Sequence, residues 1–169
     1  MKRILSALVV LGLVGSAWAG SPADAAKMSA MKAEMSKCAV CKHMAAKMDE
    51  IGPVSMQVVH LDNGVAIQSE VQDASKVAVF HAVGVEMSKA GEATMKMTDA
   101  QAKTDLCPMC QDMRSAAMKG ANISHGQTKT GSLCVIASND AAVQKDIAAF
   151  EMKCAAMMGE GDPHAGHGH

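Results

Sequence analysis

Sulfur-bearing and apolar residues return every three or four positions from Met28 through Met31, Met35, Cys38, Cys41, Met44 and Met48 to Ile51. That period predicts a helix carrying its sulfur atoms along one stripe, a pattern that more often packs a core than holds a cofactor. The pattern then changes. Residues 54 to 70, VSMQVVHLDNGVAIQSE, place two apolar runs around Asp62-Asn63-Gly64. Asn-Gly between such runs predicts a β-hairpin with a two-residue turn at positive φ. Asp73-Ala74-Ser75 reads as a helix start, and Val77, Phe80, Val83, Gly84 and Met87 follow at helical spacing.

The same order recurs in the second half. LCPMCQDM (106 to 113) repeats the Cys-x-x-Cys-x-x-Met of KCAVCKHM (37 to 44), and ANISHGQTKTGSLCVIAS (121 to 138) reads as a second hairpin with Gly131 near its turn. Asn139-Asp140 can cap a last helix whose stripe is Val143, Ile147, Phe150 and Cys154. The chain is therefore read as an internal duplication of a Cys-pair helix, a β-hairpin and a helix. The expected fold is α+β: tandem αββα-type units packed as one compact domain, with up to four strands and about four helices. The boundaries are a signal peptide over 1-19, a Met-rich helical lead-in over 20-35, repeat 1 over 36-91, a polar linker over 92-104, repeat 2 over 105-158 and a His-rich flexible tail over 159-169.

Lys2, Arg3, the apolar run from Ile4 to Val14 and the small-x-small Ala17-Trp18-Ala19 make the first segment a cleavable export signal. It is too short for a membrane span, and no span is expected in the mature chain. A periplasmic or secreted location follows. Removing Lys2 and Arg3 leaves 14 basic against 17 acidic side chains, with no basic patch to suggest nucleic acid. Without Tyr, and with Phe80 and Phe150 the only aromatics beyond Trp18, Ala, Val and Met must supply the core. The methionines either fill gaps in that core or concentrate soft ligands suited to Cu(I).

Six cysteines in an exported chain admit disulfides, but thiolates two residues apart can also grip one ion from a single turn. Counted by half, the first offers Cys38, Cys41, His60 and His81 with Met44 nearby. The second offers Cys107, Cys110, Cys134 and Cys154, with His125 and Met113 in reserve. Four ligands per half suit a tetrahedral zinc site, whereas the thioethers Met44 and Met113 favour copper. Cys134 and Cys154 can equally form a disulfide from strand to helix. His164, His167 and His169 in the tail can capture Cu(II), Ni(II) or Zn(II).

The half-repeat, on the strength of CAVCKHM and CPMCQDM followed by a hairpin and a helix, resembles the NosL-like accessory lipoproteins of nitrous-oxide reductase. It is also similar to the heavy-metal-binding modules of the TRASH and YHS type. The resemblance covers residues 36 to 90 and 105 to 158. It implies metal trafficking and a tandem ββα-type architecture, and by position it supports Cys38, Cys41, Met44, Cys107, Cys110 and Met113.

The reading that joins these observations is an exported protein that buffers or transfers a soft metal ion, Cu(I) before zinc, to a metal-receiving periplasmic or outer-membrane protein. The alternatives are a structural module stapled by zinc or disulfides and a periplasmic thiol-disulfide redox protein. No phosphate loop or nucleophile elbow is present, so an enzyme is not expected.

Overall fold

The computed structural model describes residues 22–158. The expected signal peptide and the tail residues His164, His167 and His169 lie outside the described residues. Helix α1 (Pro22–Lys37) leads into a turn and two short helices, α2 (Lys42–Ala45) and α3 (Met48–Ile51). A hairpin of β1 (Val54–Leu61) and β2 (Gly64–Val71) follows, then α4 (Val77–Thr94), α5 (Asp99–Asp105) and α6 (Pro108–Met118). A second hairpin, β3 (Asn122–Gln127) and β4 (Gly131–Ala137), and α7 (Ala141–Met158) complete the fold.

The two hairpins join into one antiparallel sheet of order β1-β2-β4-β3. Each half contributes one central and one edge strand, and β2 meets β4 where the halves abut. The fold is α+β, as the element order implies. Val65, Ile67 and Val71 of β2 alternate onto one face, where Val65 and Ile67 join a core with Ile136, Val143, Ile147, Phe150 and Cys154. Val71 joins Ile51, Phe80 and Val83 in a second core. Both long helices therefore cover the same face. On the other face Val59 and Leu133 are exposed.

The helices also interlock the halves. α4 follows β2 but packs on β4, whereas α7 follows β4 and packs on β1 and β2 as well. His81 of α4 reaches the Gly131 carbonyl at 2.8 Å, and Glu151 of α7 reaches His60 of β1 at 3.1 Å. His81 and Glu151 each stand one place after the paired phenylalanines, so equivalent positions tie each helix to the opposite hairpin.

Three expectations are revised. The helix read through Cys38 to Ile51 ends at Lys37. The Met35 carbonyl accepts from Cys38 N–H at 3.1 Å, and Ala39 N–H donates to the Asp105 carbonyl at 2.8 Å instead of extending the helix. Docking on the second half thus breaks the stripe. The first hairpin does turn over two residues, Asp62 and Asn63, since Leu61 pairs with Gly64. Neither has positive φ, however; among the described residues only Gly52 and Gly120 do. Gly64 is required for space instead: a Cβ there would strike the Ile136 backbone, and Gly131 faces the Ser69 backbone in the same way. Finally, the stretch read as a polar linker contains α5, opened by a capping box in which Thr98 Oγ1 accepts from Gln101 N–H. With the first Cys segment split in three, the described residues hold seven α-helices.

Helix starts follow local chemistry. Asp73 Oδ1 accepts from Ser75 N–H at 2.9 Å before a short 3-10 turn and α4. Asp140 Oδ1 accepts from Ala142 and Val143 N–H at 2.7 and 3.2 Å at the start of α7.

Candidate metal centre

The two Cys-x-x-Cys turns meet. The first spans the gap between α1 and α2, where Lys42 and Ala45 N–H donate to the Cys38 and Cys41 carbonyls, each at 3.0 Å. The second opens α6, with Cys107 at the N-cap, Pro108 beginning the helix and Gln111 N–H returning to the Cys107 carbonyl at 3.0 Å. The Gln111 side chain donates to the Leu106 carbonyl at 2.7 Å and fixes the entry to that turn. The Ala39–Asp105 backbone bond then holds the two turns side by side.

Around that bond Cys38, Val40, Ala102 and Leu106 form a third apolar cluster, with Cys41, Cys107, Cys110, Met87 and Met97 against it. The Sγ atoms of Cys38, Cys41, Cys107 and Cys110 all lie within 4.8 Å of one another. Cys41 Sγ stands 3.4 Å from Cys110 Sγ and 3.8 Å from Cys107 Sγ. Four thiolates about 2.3 Å from a central ion define a tetrahedron with edges of about 3.8 Å, so these sulfurs already stand near ligating separations. Cys38 is buried at 2% exposure, and the other three are half-buried. The four cysteines can therefore bind one soft metal ion, zinc or copper in chemistry.

The protons in the cluster are unequally shared. Cys107 is drawn far below an ordinary thiol by hydrogen bonds from Cys110 and then Cys41. Cys110 is pushed up, first by its hydrogen bond to Cys107, then by Cys41 and by burial. Cys41 is likewise raised, chiefly through its bond to Cys107 and with burial adding to it. These contacts draw the proton away from Cys107 and hold those of Cys41 and Cys110. An arriving cation must displace the remaining protons.

The other candidate ligands are placed elsewhere. The sets counted by half do not form, because the Cys turns dock on each other while Cys134 and Cys154 pack in the core between the sheet and α7. Burial pushes both of those thiols up to about 11, so they remain protonated at neutral pH. Met44 packs on the Phe80 core and Met113 on the Phe150 core, and neither packs on the thiol cluster. His60 is engaged with Glu151, His81 with Gly131, and His125 is an exposed residue of β3 opposite Cys134. Among the described residues the four cysteines are the only such group of ligands.

Arg114 was not singled out by the sequence reading. Its guanidinium donates to the Thr94 carbonyl at 2.9 Å, to the Met97 carbonyl at 2.6 Å and to Asp99 at 3.0 Å. That clamp fixes the α4–α5 connection and hence the approach of α5 to the second Cys turn. Its signal was present: Arg114 is the lone arginine after Arg3 in a chain otherwise using lysine. No protein-family model, curated protein or solved structure matches this chain.

Proposed function

We propose that the protein is an exported carrier that takes up a soft metal ion, Cu(I) as its cargo, and passes it to a receiving protein through one centre shared by both halves. The observation that carries this reading is the position of the four thiols. They gather in their own cluster, three of them half-exposed, while the sheet is held by two apolar cores that use none of them. The sheet's cohesion is therefore separate from the ion, a condition for giving it away. Cu(I) is satisfied by two or three soft ligands, so a four-thiol centre leaves a ligand over for stepwise exchange with an incoming thiolate. The duplicated Cys-x-x-Cys motif and the resemblance to metal-trafficking modules support the same reading. Met44 and Met113, partly buried against the two sheet cores, add nothing to the choice of copper.

A zinc staple is the second reading, favoured by the sulfur separations of 3.4 and 3.8 Å close to a tetrahedral edge. The two differ in the metal-free protein. Mature chain is stripped of metal under reducing, anaerobic conditions, its fold is followed by circular dichroism, and Cu(I) is titrated in against a competing chelator and withdrawn again. A carrier keeps its fold when empty, binds Cu(I) through the four cysteines and releases it to the competitor. Unfolding on metal removal, restored by Zn(II), would replace the carrier with the staple.

A further inference from the structure

Every large apolar residue in α1, PADAAKMSAMKAEMSK, is methionine; it has no Leu, Ile, Val or Phe. Met28, Met31 and Met35 are spaced by three and four, so their side chains share one face, with adjacent Cβ atoms about 5–6 Å apart. All three are half-buried, yet none packs on any of the three core clusters. That separates them from Met44, Met87, Met97, Met109 and Met113, which do. The stripe ends beside the site: α1 packs on α2, and the Met35 carbonyl accepts from the Cys38 N–H at 3.1 Å. Cys38, the buried member of the thiol centre, follows directly on Lys37, the last residue of α1.

We propose that Met28, Met31 and Met35 form a second site, a thioether site for a soft monovalent ion, Cu(I) or Ag(I), placed to feed Cys38. Thioethers bear no proton to displace and form no disulfide, so the site keeps its affinity in acid and under oxidising conditions in which thiols lose theirs. Packing alone needs no sulfur here, since leucine is as good a helix former and fills a similar volume. The site stands independently of the carrier reading. Only the feeding step rests on it.

The test uses the mature chain and Ag(I), which stays monovalent, in chloride-free buffer. With Cys38, Cys41, Cys107 and Cys110 all changed to Ser, Ag(I) binding is measured from about pH 4, where histidines are protonated, to about pH 7. One bound Ag(I), with affinity independent of pH, is expected. Adding Met28→Leu, Met31→Leu and Met35→Leu, with helicity checked by circular dichroism, lowers that affinity by at least tenfold, or about 1.4 kcal/mol. Unchanged binding in the leucine variant, or no binding at about pH 4 before the leucines are introduced, overturns the thioether site. In the chain with intact cysteines, the leucine changes are expected to slow Ag(I) loading of the thiolates about tenfold while leaving their equilibrium affinity unchanged. An unchanged loading rate removes the feeding step. Ag(I) uptake by the methionines with none by the thiols would leave this site standing and end the carrier reading instead.

Discussion

Metal uptake at the shared centre is a competition with protons, and the contacts among the thiols fix its pH dependence. In the metal-free protein Cys107 is drawn below the ordinary thiol range by hydrogen bonds from Cys110 and Cys41, while Cys41 and Cys110 are raised by the hydrogen bonds they make to it and by burial. Groups with raised pKa hold their protons through neutrality, and the bound ion requires them deprotonated. Acid therefore favours the empty form, and affinity climbs as pH rises. Each displaced proton changes the binding constant about tenfold per pH unit, about 1.4 kcal/mol, so expelling those of Cys41 and Cys110 gives at least about a hundredfold. Anaerobic Zn(II) competition titrations from roughly pH 6 to 8, corrected for the chelator's own protonation, read that slope. Calorimetry in buffers of different ionisation heat counts the released protons independently. Cys110→Ser should weaken binding and reduce the slope by about one log unit per pH unit. A slope near zero in the unmodified chain would refute the reasoning, because ligands that do not titrate would then be holding the ion.

Three further outcomes follow from the same contacts. Iodoacetamide mapping at about pH 5 should modify Cys107 first, with Cys134 and Cys154 unreactive until the chain unfolds. Equal labelling of all six would contradict the assigned protonation. Arg114→Ala should cost about 3 kcal/mol in urea unfolding and weaken Zn(II) binding, with Arg114→Lys failing to restore the connection made by the guanidinium; unchanged metal affinity would dissociate the α4–α5 clamp from the site. Gly64→Ala should destabilise the fold by about 2 kcal/mol or more, since the added carbon meets the backbone of β4 rather than a movable side chain. A neutral result by thermal unfolding would show that β2 and β4 part easily.

Much of the local structure was legible because its causes are local. Asp73 and Asp140 cap helices from the positions where capping residues were expected, and the two hairpins arise from apolar runs broken by turn residues. The duplicated Cys-x-x-Cys spacing marked the four residues that cluster. What could not be read was how the halves meet. Pairing Val65 with Ile136 across β2 and β4 is a long-range choice, and period-two alternation fixes which face a residue takes without naming its partner strand. The same gap leaves one shared ion or two equally open in the sequence, since counting ligands by half does not show Cys41 beside Cys110. Histidines illustrate it again: His60 and His81 look like ligands by type, but helix crossover gives each a polar partner in the opposite half. Asn63 shows the limit of a turn motif, because the crowding of β2 on β4 determines where glycine is needed.

Whether one ion is held jointly by both Cys pairs is read by X-ray absorption on the Zn(II)-loaded chain, with metal counted by native mass spectrometry. One Zn(II) per chain is expected in a shell of four sulfurs at about 2.3 Å, lost when either Cys38 and Cys41 or Cys107 and Cys110 become Ser. A mixed nitrogen and sulfur shell, or one pair retaining the ion at full affinity after the other is removed, would contradict it.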